Sequence, residues 1–180
     1  MKKRTLWLVE TAMMLAMLIV CQTVSKPAGQ IVTGTLVNAV LAIATLLCGV
    51  GSGIVVALLS PIVAFLLGIA PQILTVPAIM VGNLVYVVIL GFRANQANGL
   101  VNSVIRWICA AAAKFAVLYG LVVWGICHIL ADRLMESGLL KTPMIKVLTA
   151  TFTWPQLITA LLGGAIAMVV AMALKKALRR

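Results

Sequence analysis

Long apolar stretches run through this chain, and only a few short polar or glycine- and proline-containing segments interrupt them. Between Lys26 and Arg93 lie 66 residues without a single Asp, Glu, Lys or Arg. A helix needs roughly 20 apolar residues to cross about 30 Å of hydrocarbon, so this stretch alone holds three crossings. The whole pattern predicts six transmembrane helices at about 6–24, 35–50, 53–70, 74–92, 104–130 and 154–174. The second and third are divided by Cys48-Gly-Val-Gly-Ser-Gly53, where glycine permits a tight turn. Pro71 and Pro77 divide the third from the fourth, and the polar run Phe92–Gly99 divides the fourth from the fifth. The longest connection starts at Asp132–Gly138 and continues through Leu139–Thr153, with a short interfacial helix expected near Met144–Ala150. The fold class expected is an all-α membrane protein, with residues 1–180 as one domain.

Composition supports this reading. The chain is 64% apolar and 9% charged, whereas a soluble domain carries about 25% charged residues. So little polar material excludes a soluble enzyme or binding module, and so much apolar material excludes disorder. The basic start Met1-Lys-Lys-Arg4 followed by an apolar run has the form of a signal peptide. The run is long for that role and no clean small-x-small site follows it, so an uncleaved first span is expected.

Lys and Arg number 14 against three acids, Glu10, Asp132 and Glu136. On a soluble protein this balance would point to nucleic acid. Here the basic residues sit mostly at the two ends and in one loop, so no nucleic-acid partner is expected. With six spans, Lys2, Lys3, Arg4, Arg93, Arg106, Lys175, Lys176, Arg179 and Arg180 fall on one side. Lys26, Arg133, Lys141 and Lys146 fall on the other, offset by Asp132 and Glu136. The excess of positive charge places both termini in the cytoplasm.

Catalytic chemistry finds few groups to work with. There is one histidine, His128, with no HExxH motif, no paired carboxylates and no G-x-S-x-G elbow. No GxxxxGK[ST] loop is present, so the chain has no means of its own to hydrolyse ATP. Cys21, Cys48, Cys109 and Cys127 form no CxxC pair and read as small apolar residues. No metal, cofactor or enzymatic activity is expected.

One ionisable group lies well inside a span. Lys114 sits about ten residues into the fifth, where a lysine costs roughly 2.5–3.5 kcal/mol on insertion scales. Two readings stand side by side: it snorkels to the boundary, or it faces the bundle interior and meets a polar partner or an anionic ligand group. Asn83 in the fourth span falls at a similar depth and is the candidate partner. Asn38 in the second span has the same two readings, a ligand contact or a structural interhelical hydrogen bond, and the structural one is favoured. Further polar and aromatic groups gather towards the outer face: Gln22, Gln30, Thr33, Gln72, Tyr86, Tyr119, Trp124, His128, Trp154 and Gln156. An apolar pocket with a few placed polar groups has this character, although Trp124 and Trp154 also fit an interfacial belt. Small residues four apart, Ala12 and Ala16 on the first span and Gly163, Ala167 and Ala171 on the last, mark faces along which helices approach closely in lipid.

In combination these features resemble the S component, the substrate-capture subunit, of energy-coupling factor (ECF) transporters. The likeness rests on chain size, the six spans, Ala12-x-x-x-Ala16, Gly29-Gln-Ile-Val-Thr-Gly-Thr-Leu-Val-Asn-Ala39, Ser60-Pro-Ile-Val-Ala-Phe65, Val81-Gly-Asn83 and Lys114-Phe-Ala-Val-Leu-Tyr119. The resemblance implies a subunit that binds a vitamin or similar micronutrient near its outer face. It also implies a membrane coupling subunit, contacted through Ala12 and Ala16, and two cytosolic ATPase subunits that supply the energy. By the same resemblance the pocket lies in the outer parts of spans four to six, which points to Asn83, Lys114, Tyr119, His128, Trp154 and Gln156, with Gln30 and Gln72 in covering loops. The alternative of another class is a structural subunit of a membrane complex without a small-molecule ligand. A standalone carrier ranks behind both, because a gradient-driven carrier normally holds several ionisable groups in the bilayer.

Overall fold

The computed structural model describes residues 2–69, 72–92 and 99–178. Ala70, Pro71, Arg93, Arg179 and Arg180, which entered the reading of spans and charge, lie outside the described residues. Eight α-helices follow in order: α1 Lys2–Ser25, α2 Gln30–Leu47, α3 Val50–Leu66, α4 Val76–Gly91, α5 Leu100–Leu118, α6 Ala131–Glu136, α7 Thr142–Thr151 and α8 Trp154–Leu178. A π-helical segment, Tyr119–Ile129, prolongs α5. Among the described residues five stretches are long and apolar enough to cross a membrane, and α3 is a shorter apolar helix of 17 residues. The protein is therefore an all-α, multi-pass membrane protein.

Single glycines set the helix boundaries and shift them from the expected ones. Gly29 (φ +89°) turns the chain, so α2 starts at Gln30 rather than near residue 35. Gly49 (φ +94°) does the same between α2 and α3, and Gly68 (φ +65°) follows the end of α3. At such φ values only glycine is unstrained. Gly51 and Gly53, expected in the turn, lie inside α3. There Gly53 faces the side chains of Thr45 and Val87 too closely to admit a Cβ. Pro77 sits in the first turn of α4, where its missing N–H costs nothing.

The π segment contains Gly120 and Gly125. The segment closes with Leu130 N–H donating to Gly125 O. The expected interfacial helix is α7; α6 is an additional short helix before it.

α2 is the central helix, in contact with α1, α3, α4 and α8, and its contact with α8 is the most extensive in the protein. The small residues of α8 make that contact possible. A Cβ on Gly163 would stand 2.6 Å from both the Asn38 Cβ and the Thr35 carbonyl oxygen, so the two backbones nearly touch. Ala167 and Ala171 continue this buried stripe. On α1, by contrast, Ala12 and Ala16 point away from the bundle with exposed Met13, Met17 and Val20.

The two ends of the bundle differ. Near the termini, Thr11 on α1 bonds Ser52 on α3 (2.6 Å), and the Trp7 indole lies beside Gly51. One core cluster, built on Leu18, Leu41, Val56, Tyr86 and Val87, fills the body of the bundle. A second cluster, with Leu118, Val122, Leu148 and Phe152, joins the π segment to α7 at the opposite end. Lys26 Nζ donating to Gly68 O (2.7 Å) and Gln72 Nε2 donating to Leu139 O (2.5 Å) tie the connections at that end together.

Candidate functional site

Between the two core clusters lies a cavity of about 110 Å³. A buried water needs only about 10–15 Å³ on this measure, so the cavity exceeds the site of a single structural water several-fold. Its walls come from the end of α1, the start of α2, the end of α3, the start of α4, the end of α5, and the junction of α7 with α8. All are helix ends at the pole of the bundle away from the termini.

Lys114 stands at its floor. The residue is 3% exposed, and its side chain turns into the bundle rather than towards a boundary. Its Nζ donates to Asn83 Oδ1 (2.7 Å) and to Asn38 Oδ1 (2.5 Å). The Tyr86 ring lies beneath it, with the centroid 5.4 Å from Nζ. Two carbonyl dipoles and the negative face of a ring are the surroundings of a cation. Asn38 is oriented in turn: its Nδ2 donates to Thr159 Oγ1 (3.2 Å), and Thr159 Oγ1 donates to Gln156 O (3.2 Å). Three helices thus converge on one lysine, and a fourth fixes one of its partners.

Other polar groups on the walls are Gln22, Gln30, Thr33, Ser60, Thr151 and Gln156. Gln156 Nε2 donates to Thr151 O (3.2 Å). Gln22 Oε1 and Ser60 Oγ are buried with no hydrogen-bond partner among the described residues. A buried polar atom left unpaired costs about 1–3 kcal/mol; Thr35 Oγ1, Gln72 Oε1, Arg106 Nε and Trp107 Nε1 are likewise unpartnered among the described residues but lie off the cavity. Pro61, next to Ser60 on the wall, has no N–H to give to the Ala57 carbonyl, which adds an acceptor in the same region. The remaining lining, including Leu118, Phe152 and Ile79, is apolar. None of Glu10, Asp132 and Glu136 lines the cavity. Among the described residues no group of three or more His, Cys, Asp or Glu is placed to hold a metal.

Of the residues singled out from sequence, Asn83, Lys114, Gln30 and Gln156 line the cavity. Tyr119, His128, Trp154 and Gln72 do not. Tyr119 and Trp154 are exposed and each packs against Phe115, with ring centroids 5.9 and 6.0 Å away. His128 is exposed at the end of the π segment. Gln72 is spent on the bond to Leu139 O that joins two connecting segments. Asn38, read as structural, is a direct partner of Lys114. Gln22, Thr33, Ser60 and Thr151 are the further polar wall residues. Of these, Gln22 and Thr33 stood out as polar positions near span ends, Ser60 opened the Ser60–Phe65 motif without being read as a wall residue, and nothing in the sequence set Thr151 apart.

Among the side chains on this wall there is no nucleophile–base pair and no phosphate-binding loop. No curated protein and no solved structure matches the chain. A family model described as ECF transporter, substrate-specific component matches residues 7–175, nearly the whole length. The chain therefore belongs to the family of ECF transporter substrate-specific components, the substrate-binding rather than catalytic parts of a transport system.

Proposed function

We propose that this protein captures a small micronutrient in the cavity around Lys114 and passes it across a bacterial cell membrane with the help of a coupling subunit and two cytosolic ATPases. One observation carries the reading: a buried lysine held by Asn38 and Asn83 in a cavity whose walls bear unpartnered Gln22 and Ser60 atoms. α3 serves as the sixth span, its 17 residues covering about 25 Å at 1.5 Å per residue. Lys2, Lys3, Arg4 and Lys176 lie at the pole opposite the cavity. The positive-inside rule makes that pole cytoplasmic and opens the cavity towards the outside. The connections tied by Lys26 and Gln72 then form its outer cover.

The outward face of α1 supplies the coupling surface. Ala12 and Ala16 are exposed there four residues apart, whereas the corresponding stripe on α8 is consumed inside the bundle. Small residues on a lipid-facing helix let a second helix approach closely. The test is uptake by the assembled transporter against ligand retention by the isolated subunit. Ala12→Leu and Ala16→Leu are expected to abolish uptake and leave retention intact. Unchanged uptake in both variants would refute the coupling surface.

A further inference from the structure

The proposed capture site also constrains the charge of what it captures, and this inference rests on that reading. Lys114 is the one ionisable side chain on the cavity wall among the described residues, and no carboxylate stands near it. An ammonium has three N–H donors, and Asn38 and Asn83 take two. Both partners are neutral amides, so they orient the charge without cancelling it. A lone buried charge is costly when nothing of opposite sign compensates it.

We infer that the cavity selects a small molecule with a single carboxylate, which meets Lys114, while uncharged polar groups of the same molecule meet Gln22 and Ser60. A cationic compound would place like charges together in a low-dielectric site. A neutral compound would leave the ammonium uncompensated. A phosphate monoester, at about −1.5 to −2, would bring more negative charge than one lysine neutralises. Ser60 Oγ serves as donor or acceptor, and Gln22 Oε1 accepts, so a second polar group of the ligand is a hydroxyl or N–H.

The probe is a small-molecule filtrate of yeast extract, separated by ion exchange into cationic, neutral, singly anionic and multiply anionic fractions. Each fraction is added to the full-length protein in detergent, and its thermal unfolding midpoint is recorded. The singly anionic fraction is expected to raise the midpoint by several degrees. Lys114→Gln, which keeps two N–H donors for Asn38 and Asn83 but removes the charge, is expected to lose that rise. Lys114→Arg, which keeps the charge, is expected to retain part of it. Should Lys114→Gln fail to fold, the comparison of the four fractions on the unaltered protein decides alone. A rise with the cationic, neutral or multiply anionic fraction in its place overturns the assignment of charge and leaves the capture site standing. No rise with any fraction overturns the capture site itself.

Discussion

Asn83→Asp separates the electrostatic account of the cavity from a merely structural one. The two side chains are the same size and shape, so nothing in the packing changes. The new carboxylate would stand where Oδ1 now accepts from Lys114 Nζ, at 2.7 Å. At an effective dielectric constant of about 20, two unit charges at that distance attract by about 6 kcal/mol before solvation is counted. Burying a carboxylate costs several kcal/mol, so the net effect on fold stability is small, within about 1–2 kcal/mol. Binding responds very differently. A ligand carboxylate about 4 Å from the new charge is repelled by about 4 kcal/mol at the same dielectric constant. Its partner, Lys114, is also neutralised. Since each 1.4 kcal/mol is a factor of ten, retention of a monoanionic ligand is expected to fall at least 100-fold. The assay pairs thermal unfolding in detergent with retention of the singly anionic fraction by the purified protein. Unchanged retention in Asn83→Asp would refute the argument. So would a loss of retention matched by an equal loss of folding.

Three further outcomes follow from named contacts. Gly163→Ala should destabilise the fold by about 1–3 kcal/mol, because its Cβ would stand 2.6–2.7 Å from Asn38, Thr35 and Ala39 atoms, two of them backbone. Gly120→Ala, which meets nothing within 4 Å, is the control and should not destabilise it. Ser60→Ala should raise the unfolding midpoint of the ligand-free protein, since it removes a buried hydroxyl that makes no bond within the described fold, while lowering ligand retention about 5- to 10-fold, as expected for one hydrogen bond. Trp154→Ala should reduce retention little, because its ring stacks on Phe115 outside the cavity.

The spans were legible because charge is so sparse that each polar interruption marks a boundary. Exact boundaries were not, because glycine serves two purposes that composition does not distinguish. Gly29 and Gly49 turn the chain at positive φ, whereas Gly34 and Gly53 let side chains of neighbouring elements come close. The pairing of Lys114 with Asn83 followed from counting depth along two antiparallel helices. The role of Asn38 did not, since an asparagine bonded to another helix and one lining a cavity look alike in sequence. Ser60 opens a motif shared with the family, but its place on the wall with no bond of its own is visible only in the structure. Tyr119, His128 and Trp154 are exposed and lie off the cavity wall. Facing is fixed by helix rotation, and the widened π turn after Leu118 alters the rotation of every residue beyond it.

The central claim is that Lys114 and its two asparagines hold a small molecule for transport. Native mass spectrometry of the detergent-purified protein tests it most directly. The account predicts a one-to-one adduct of a small carboxylate-bearing molecule, lost in Lys114→Gln and Asn83→Asp. A bare chain after incubation with the yeast-extract filtrate, or an adduct that persists in both variants, would contradict it.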